Sequence, residues 1–200
     1  MIKINDVYFL KSCGSPSQFP EYQYPEIAFL GRSNVGKSSL INMLMNRKNL
    51  VKTGSRPGVT RTVNFFILNN VISIADLPGF GYANMPWGVK RTFMPLIKRY
   101  ITGRDNLKLA FLLIDIRRVP ERRERELLAL LAENKIPVAV ILTKCDKLPR
   151  GRRTRNIKSI CAELGVDDTA LFPTSAKTRS GRKELLDLIA EYAGSSAVKP

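Results

Sequence analysis

The sequence predicts an α/β domain in three layers, a six-stranded, mostly parallel sheet with one antiparallel strand and helices on both faces. Three observations predict it. Short apolar runs alternate with segments whose apolar residues recur at helical spacing, the pattern of a parallel sheet covered on both sides. Two neighbouring runs, Thr62–Leu68 and Val71–Asp76, are joined through Asn69-Asn70, a tight hairpin signal. Residues 31–38 read Gly-Arg-Ser-Asn-Val-Gly-Lys-Ser and fit Gly-x4-Gly-Lys-Ser/Thr without a mismatch, a motif that needs a strand before it and a helix after it.

In chain order, residues 1–25 read as an N-terminal extension with Pro16, Pro20 and Pro25 and no clear period. The main domain spans 26–193, and 194–200 is expected to be a flexible tail. Glu26-Ile-Ala-Phe-Leu30 is the strand that enters the motif, and Leu40, Ile41, Leu44 and Met45 stripe the helix that leaves it. After the hairpin, Phe93, Leu96, Ile97 and Tyr100 ask for a helix, but Pro95 sits inside the stripe; the helix either starts near Phe93 or is kinked there. Leu107–Asp115 and Pro137–Thr143 read as buried strands, and Ala170–Pro173 as a short one. The helices between and after them carry Leu127, Leu128, Leu130 and Leu131 in the segment 120–134, then Ile157, Ile160, Cys161 and Leu164 before a stop at Gly165, then Leu185, Leu186, Ile189 and Tyr192 before Gly194. These stripes are core faces.

Bulk properties narrow the function. The 200 residues are 44% hydrophobic, enough for one domain with a sizeable core. No stretch approaches the ~20 apolar residues of a membrane span, and the N-terminus lacks an apolar signal core; a cytoplasmic monomer is expected. Cys13, Cys145 and Cys161 have no metal-like spacing and read as free thiols in a reducing compartment. The chain has no His, which excludes a Cys/His zinc site and a His-based triad. Its 33 basic and 17 acidic residues give a net charge of +16, more than solubility requires, so a polyanionic partner is expected, nucleic acid or an anionic membrane surface.

The Gly-x4-Gly-Lys-Ser stretch builds a phosphate cradle from backbone. Gly31 and Gly36 allow dihedrals that a side chain would forbid, so successive N–H groups of Gly31, Arg32, Ser33, Asn34, Val35, Gly36, Lys37, Ser38 and Ser39 can turn toward one anion. Lys37 would reach the β- and γ-phosphates, and the Ser38 hydroxyl would ligate Mg²⁺. Asp76-Leu77-Pro78-Gly79 ends another strand; its Asp can hold Mg²⁺ through water, and the Gly79 N–H can meet the γ-phosphate.

The base is read from two further strand ends. In Thr143-Lys144-Cys145-Asp146 the carboxylate accepts from guanine N1–H and the exocyclic amino group. Adenine would leave it unpaired, and such mismatches cost on the order of 1–3 kcal/mol each. Lys144 would lay its stem along the base. A backbone N–H of Thr174-Ser175-Ala176 could meet guanine O6. GTP and GDP are therefore preferred to adenine nucleotides. The Gly/Pro-rich segment Thr53–Thr60 reads as a switch that orders with GTP and relaxes after hydrolysis. Gly58, Val59, Thr60, Arg61 and Thr62 are its candidate nucleotide contacts. Thr60 is the first choice for the hydroxyl that completes the Mg²⁺ shell, and Thr62 the alternative. Lys37, Thr60 and Gly79 are the candidate catalytic residues, with Ser38, Thr60 and Asp76 as metal ligands.

Three stretches carry a family resemblance: Gly31–Ser39, Pro57-Gly-Val-Thr60 before Asn64-Phe-Phe66, and above all Asp76-Leu-Pro-Gly-Phe-Gly-Tyr-Ala83. With them the chain resembles the EngB (YsxC/YihA) ribosome-biogenesis GTPases, from about Pro25 to Tyr192. The resemblance implies a P-loop GTPase domain, GTP and Mg²⁺ as ligands, a role in assembly of the large ribosomal subunit or its precursor, and a link to cell division and septation. Two departures stand out. Family members tend to carry Arg-His-x-Pro where this chain has Arg117-Arg118-Val119-Pro120, and the Pro-Gly-x-Thr element is often followed by Gln where this chain has Arg61.

Phosphoryl transfer to water needs positioning and charge neutralisation. The residue after Asp-x-x-Gly, a water-orienting Gln in Ras-like switches, is Phe80, which cannot hydrogen-bond. Two readings follow: a partner completes the site, or a monovalent cation, potassium at Asn34 as in related GTPases, supplies the charge. Slow basal turnover is expected.

Positive charge clusters at Arg117, Arg118, Arg122, Arg123 and Arg125, interleaved with Glu121, Glu124 and Glu126, and at Lys147, Arg150, Arg152, Arg153, Arg155 and Lys158, with little acid nearby. The first reads as readily as a salt-bridged solvated face as a binding surface. The second suits ribosomal RNA phosphates, which give affinity without sequence reading. Two rivals remain: a P-loop kinase with a small acceptor, and a non-catalytic guanine-nucleotide sensor for division or an anionic membrane.

Overall fold

A computed structural model describes residues 2–51, 62–81 and 87–194, with backbone alone for 87–93. The elements are β1 (Val7–Cys13), β2 (Glu26–Gly31), α1 (Lys37–Leu44), β3 (Val63–Leu68), β4 (Ile72–Asp76), α2 (Trp87–Thr102), β5 (Leu107–Asp115), α3 (Arg122–Glu133), β6 (Val138–Thr143), α4 (Arg150–Leu164), β7 (Leu171–Pro173) and α5 (Arg182–Ala193). The strands form one sheet in the order β1-β3-β4-β2-β5-β6-β7. The pairs β2–β4, β2–β5, β5–β6 and β6–β7 are parallel, while β3 runs antiparallel to both β1 and β4. The sheet is thus mostly parallel with one reversed strand, as expected, but it has seven strands rather than six.

The additional strand is β1, in the segment expected to be an extension. Only its first and last residues are buried and the five between are exposed, so no alternation marks it in the sequence. It is an edge strand, held by β3 and by the hairpin. Asn69 and Asn70 have φ of 51° and 55°, the positive values a two-residue hairpin turn demands. The Asn69 side chain accepts from the N–H groups of Asn5 and Asp6 and donates to the Lys3 carbonyl.

Successive residues of the central strands face opposite layers. Ile27 and Phe29 pack under α1 and α5 with Ile41, Leu44, Leu185 and Ile189. Ala28 and Leu30 face α2 and α3 with Ile97, Tyr100 and Leu127. A third group joins Leu128 of α3 to Ile160 and Leu164 of α4. Helix α2 runs from Trp87 through Pro95 to Thr102, so it does not start near Phe93, the first of the two expectations. Gly165 ends α4 in the left-handed region at φ 66°.

The end of the sheet opposite the glycine-rich loop is closed by a buried ionic group. The fully buried Glu26 carboxylate accepts from the hydroxyls of Tyr22 (2.6 Å), Tyr100 (2.7 Å) and Ser73 (2.9 Å) and from Arg104 Nε (3.0 Å) and Nη2 (2.9 Å). Arg104 also donates to the Pro20 carbonyl and lies over the rings of Phe19, Tyr22 and Phe65. Burial and the Glu26 carboxylate together push the Tyr100 phenol well above its ordinary range. Through these contacts residues 19–22 are stapled to the sheet.

Candidate nucleotide site

The site forms at the C-terminal ends of β2, β4, β5, β6 and β7, where an open parallel sheet places its ligands. Strand β2 ends at Gly31, where a Cβ would lie 2.9 Å from Val35 Cγ1 and 3.0 Å from both the Cβ and the carbonyl oxygen of Leu113. Only glycine lets the loop turn this close to β5. The loop then passes Asn34 (φ 63°, exposed) and Gly36 (φ 108°), and α1 starts at Lys37. A concave backbone turn ahead of a free helix N-terminus is what a polyphosphate requires. Ser38 is half-buried and Ser39 exposed in the first turn of α1.

Lys37 is buried and ion-pairs with the Asp76 carboxylate, itself 1% exposed at the end of β4. The predicted phosphate lysine and the predicted magnesium aspartate thus meet. After Asp76, Leu77 and Pro78 are buried, and the next residues run along the glycine-rich loop. Ser33 N–H donates to the Phe80 carbonyl (2.8 Å), Phe80 N–H to the Gly31 carbonyl (3.3 Å) and Ser33 Oγ to the Gly79 carbonyl (3.2 Å). A Cβ on Gly79 would come within 3.0–3.1 Å of Ser33, so glycine is required for this approach. The Phe80 ring is buried in the core with Leu77, Leu96 and Ile97.

Gly58, Val59, Thr60 and Arg61 lie outside the described residues. The alternative metal ligand Thr62 is described, and its hydroxyl donates to Asn64 Oδ1 (3.1 Å).

The guanine motifs assemble on β6 and β7. Thr143 Oγ1 donates to the Val35 carbonyl (2.7 Å), fastening β6 to the glycine-rich loop. Lys144 takes a left-handed backbone, φ 62°, and its Nζ reaches the Asn34 carbonyl (2.7 Å). Cys145 N–H bonds the Thr174 carbonyl (3.0 Å), and Ser175 Oγ donates to Asp146 Oδ1 (2.7 Å). That hydroxyl holds the Asp146 carboxyl below its ordinary range, so it stays an acceptor. Thr174 and Ser175 are buried, and Ala176 is half-buried in the turn after β7. The structure therefore brings the four stretches 31–39, 76–79, 143–146 and 174–176 together at one end of the sheet.

Asp115 and Arg117 were missed as site residues. Asp115, at the end of β5, accepts from Arg117 through its backbone N–H (3.1 Å), Nε (2.9 Å) and Nη2 (2.7 Å), and from Lys144 Nζ (3.0 Å). Burial alone would raise this carboxyl; the Arg117 and Lys144 bonds outweigh it and hold the group down at about 2. The one sequence signal was a carboxylate closing a buried strand. Arg32 was expected as a backbone contact only. Its guanidinium also pairs with Glu121 (2.6 Å) at the start of α3 and approaches the Gly81 carbonyl (3.5 Å).

Comparison with known proteins agrees with this geometry. Residues 26–144 match the family model of a 50S ribosome-binding GTPase, and residues 94–195 match that of the elongation factor Tu GTP binding domain. A probable GTP-binding protein EngB from Desulforapulum autotrophicum is 48% identical, covering 91% of this chain and 94% of that one. Its counterpart in Pelobacter propionicus is 45% identical, covering 90% and 92%. The crystal structure of a probable GTP-binding protein engB superposes with a TM-score of 0.72 at 30% identity, covering 84% of this chain and 98% of that one. The chain belongs to the EngB family of GTP-binding proteins and is a P-loop GTPase, an enzyme that hydrolyses GTP.

Proposed function

We propose that this GTPase acts in the cytoplasm as an assembly factor for the large ribosomal subunit, binding ribosomal RNA through one basic face, and that normal cell division and septation need it. The phosphates of GTP lie in the loop 31–38 under Lys37, with the Gly79 N–H at the γ-phosphate, and guanine is held by Asp146, the Lys144 stem and the turn 174–176. When Mg²⁺ is bound, Ser38, Asp76 and Thr60 would hold it, and it would neutralise phosphate charge there.

One observation carries the ribosomal reading. The two arginine clusters form a single surface rather than two, because α3 and α4 are adjacent: Leu128 packs with Ile160, and Arg125 pairs with Glu163. The glutamates expected to neutralise the first cluster are engaged elsewhere in part. Glu121 pairs with Arg32, Glu124 is buried, and Glu126 takes Arg122. Arg150, Arg152, Arg155 and Lys158 remain exposed with no ion pair among the described residues, while Arg118 and Arg123, also exposed, share the field of Glu121. An uncompensated surface of this kind fits a phosphate backbone, and the matched description, a 50S ribosome-binding GTPase, supports that polyanion. The triple variant Arg152→Glu, Arg155→Glu, Lys158→Glu is expected to lose ribosomal subunit binding by at least about tenfold in sedimentation at moderate salt, with GDP affinity unchanged. Unaltered sedimentation would remove this face from the account.

Phe80 supplies no water-positioning group at the place after Asp76-Leu-Pro-Gly79. Basal turnover is therefore slow, at roughly 10⁻⁴–10⁻² s⁻¹, and the missing charge is assigned to potassium at the exposed Asn34. Hydrolysis should run faster in potassium than in sodium chloride; equal rates would reject the cation and leave the ribosome as the completing partner.

A further inference from the structure

We infer that Asp115 and Arg117 are positioning residues for the base, acting through Lys144; the inference rests on the reading that Lys144 and Asp146 hold guanine. A lysine carries about 2 kcal/mol of rotamer entropy, so a stem that is to cover the face of a base must be fixed at its far end. Here it is fixed at two acceptors. Lys144 Nζ donates to the Asn34 carbonyl at 2.7 Å and meets Asp115 Oδ2 at 3.0 Å. Its Cε passes 3.7 Å from where a Gly36 Cβ would stand, so the stem runs alongside the phosphate loop. Its backbone is held at φ 62°, a conformation that a non-glycine residue keeps only when its surroundings over-determine it.

Asp115 can serve this purpose because it is itself held. It is 6% exposed, and Arg117 grips it with Nε on Oδ1 and Nη2 on Oδ2, a planar fork on a planar carboxylate. The Arg117 side chain is 45% exposed; Asp115 is the carboxylate it hydrogen-bonds, and Asp146 acts on it at longer range. The first arginine of the Arg-Arg-Val-Pro stretch thereby acquires a role: it orients the carboxylate that orients the lysine. Removing Asp115 leaves the ammonium one acceptor and releases the stem toward solvent. Base contact weakens, while the phosphate contacts at Lys37 stay as they are.

The test is dissociation of a fluorescent GDP analogue from the full chain by stopped flow, across single and double variants. Asp115→Ala should speed release about tenfold, the worth of one charge-assisted hydrogen bond. Arg117→Ala, at an exposed position that does not threaten folding, should speed it by a smaller factor. Asp115→Asn, which keeps an acceptor, should restore most of the loss. In a Lys144→Ala background, Asp115→Ala should add less than about twofold, because the lysine through which it acts is gone. An unchanged rate in Asp115→Ala, or a tenfold effect that persists without Lys144, overturns the inference. Asp146→Asn tests the reading beneath it. An amide in place of the carboxylate should shift preference from guanosine to xanthosine diphosphate, whose base presents a carbonyl in place of the amino group. If no shift occurs, the guanine reading and the inference fail together; if the shift occurs and the Asp115 and Lys144 effects add, the inference alone fails.

Discussion

Replacing Arg104 with Met should cost about 3–5 kcal/mol of folding stability, read as a lower urea midpoint at unchanged slope. Glu26 is fully buried, and Arg104 supplies two of its five hydrogen bonds and its only cationic partner among the described residues. The variant strands a carboxylate with three hydroxyl donors and no counter-charge. It also frees the Pro20 carbonyl and uncovers the rings of Phe19 and Phe65. For a domain of ordinary stability, about 5–15 kcal/mol, that is a large fraction. The double replacement Glu26→Leu, Arg104→Met should be milder than the single one, since no charge is left in the interior. Glu26 and Gly31 sit at opposite ends of β2, roughly 17 Å apart at strand spacing, so the folded fraction should bind GDP with unchanged affinity. A loss below about 1 kcal/mol would mean that this group does not hold the base of the sheet.

Lys37→Met should lower GTP affinity about 100-fold or more. Two charge-assisted hydrogen bonds to phosphate oxygens, at about 1.5–3 kcal/mol each, exceed the roughly 2.7 kcal/mol that a hundredfold change requires. The side chain is 9% exposed and its ammonium is held at Asp76, so no nearby surface lysine can replace it by a small motion. The substitution also leaves Asp76 buried without its cation, so the nucleotide-free variant should unfold at lower denaturant than the parent. Equilibrium titration with a fluorescent GTP analogue, at a denaturant-free temperature where the variant is folded, separates the two effects. A decrease of tenfold or less would show that the phosphates do not rest on this lysine.

What could be read from the chain divides by the range of the interaction. The strand-to-helix turn at Gly31, Gly36 and Lys37 was legible because it is built from consecutive residues. The places of Asp76, Lys144 and Asp146 were legible because they lie at or just after the end of a buried run. The hairpin was legible because Asn69-Asn70 can take positive φ at both positions. Strand β1 was not, since an edge strand with five exposed residues has no period to detect. Pro95 suggested a start or a kink near Phe93; α2 starts earlier, at Trp87, because the surrounding apolar stripe keeps the helix packed on the sheet despite one missing N–H. The Glu26 group and the meeting of Asp115 with Lys144 were hidden for a different reason. Glu26 meets Arg104 across 78 residues of chain, and Lys144 reaches Asp115 only because β5 and β6 pair; the strand-closing place of Asp115 was its one local signal. Glu121 shows the same limit, since its ion pair is with Arg32 in the phosphate loop, while Arg118 and Arg123 beside it act only at longer range.

The central claim is a GTP-dependent ribosomal switch. Co-sedimentation of the full chain with large ribosomal subunits, at moderate salt and with saturating GDP or a non-hydrolysable GTP analogue, tests it most directly. The account predicts that the protein pellets with the subunits in the presence of the analogue and stays in the supernatant with GDP. Equal binding in both states would reduce the interaction to attraction between a +16 chain and a polyanion, and absence of binding in either state would contradict the ribosomal assignment.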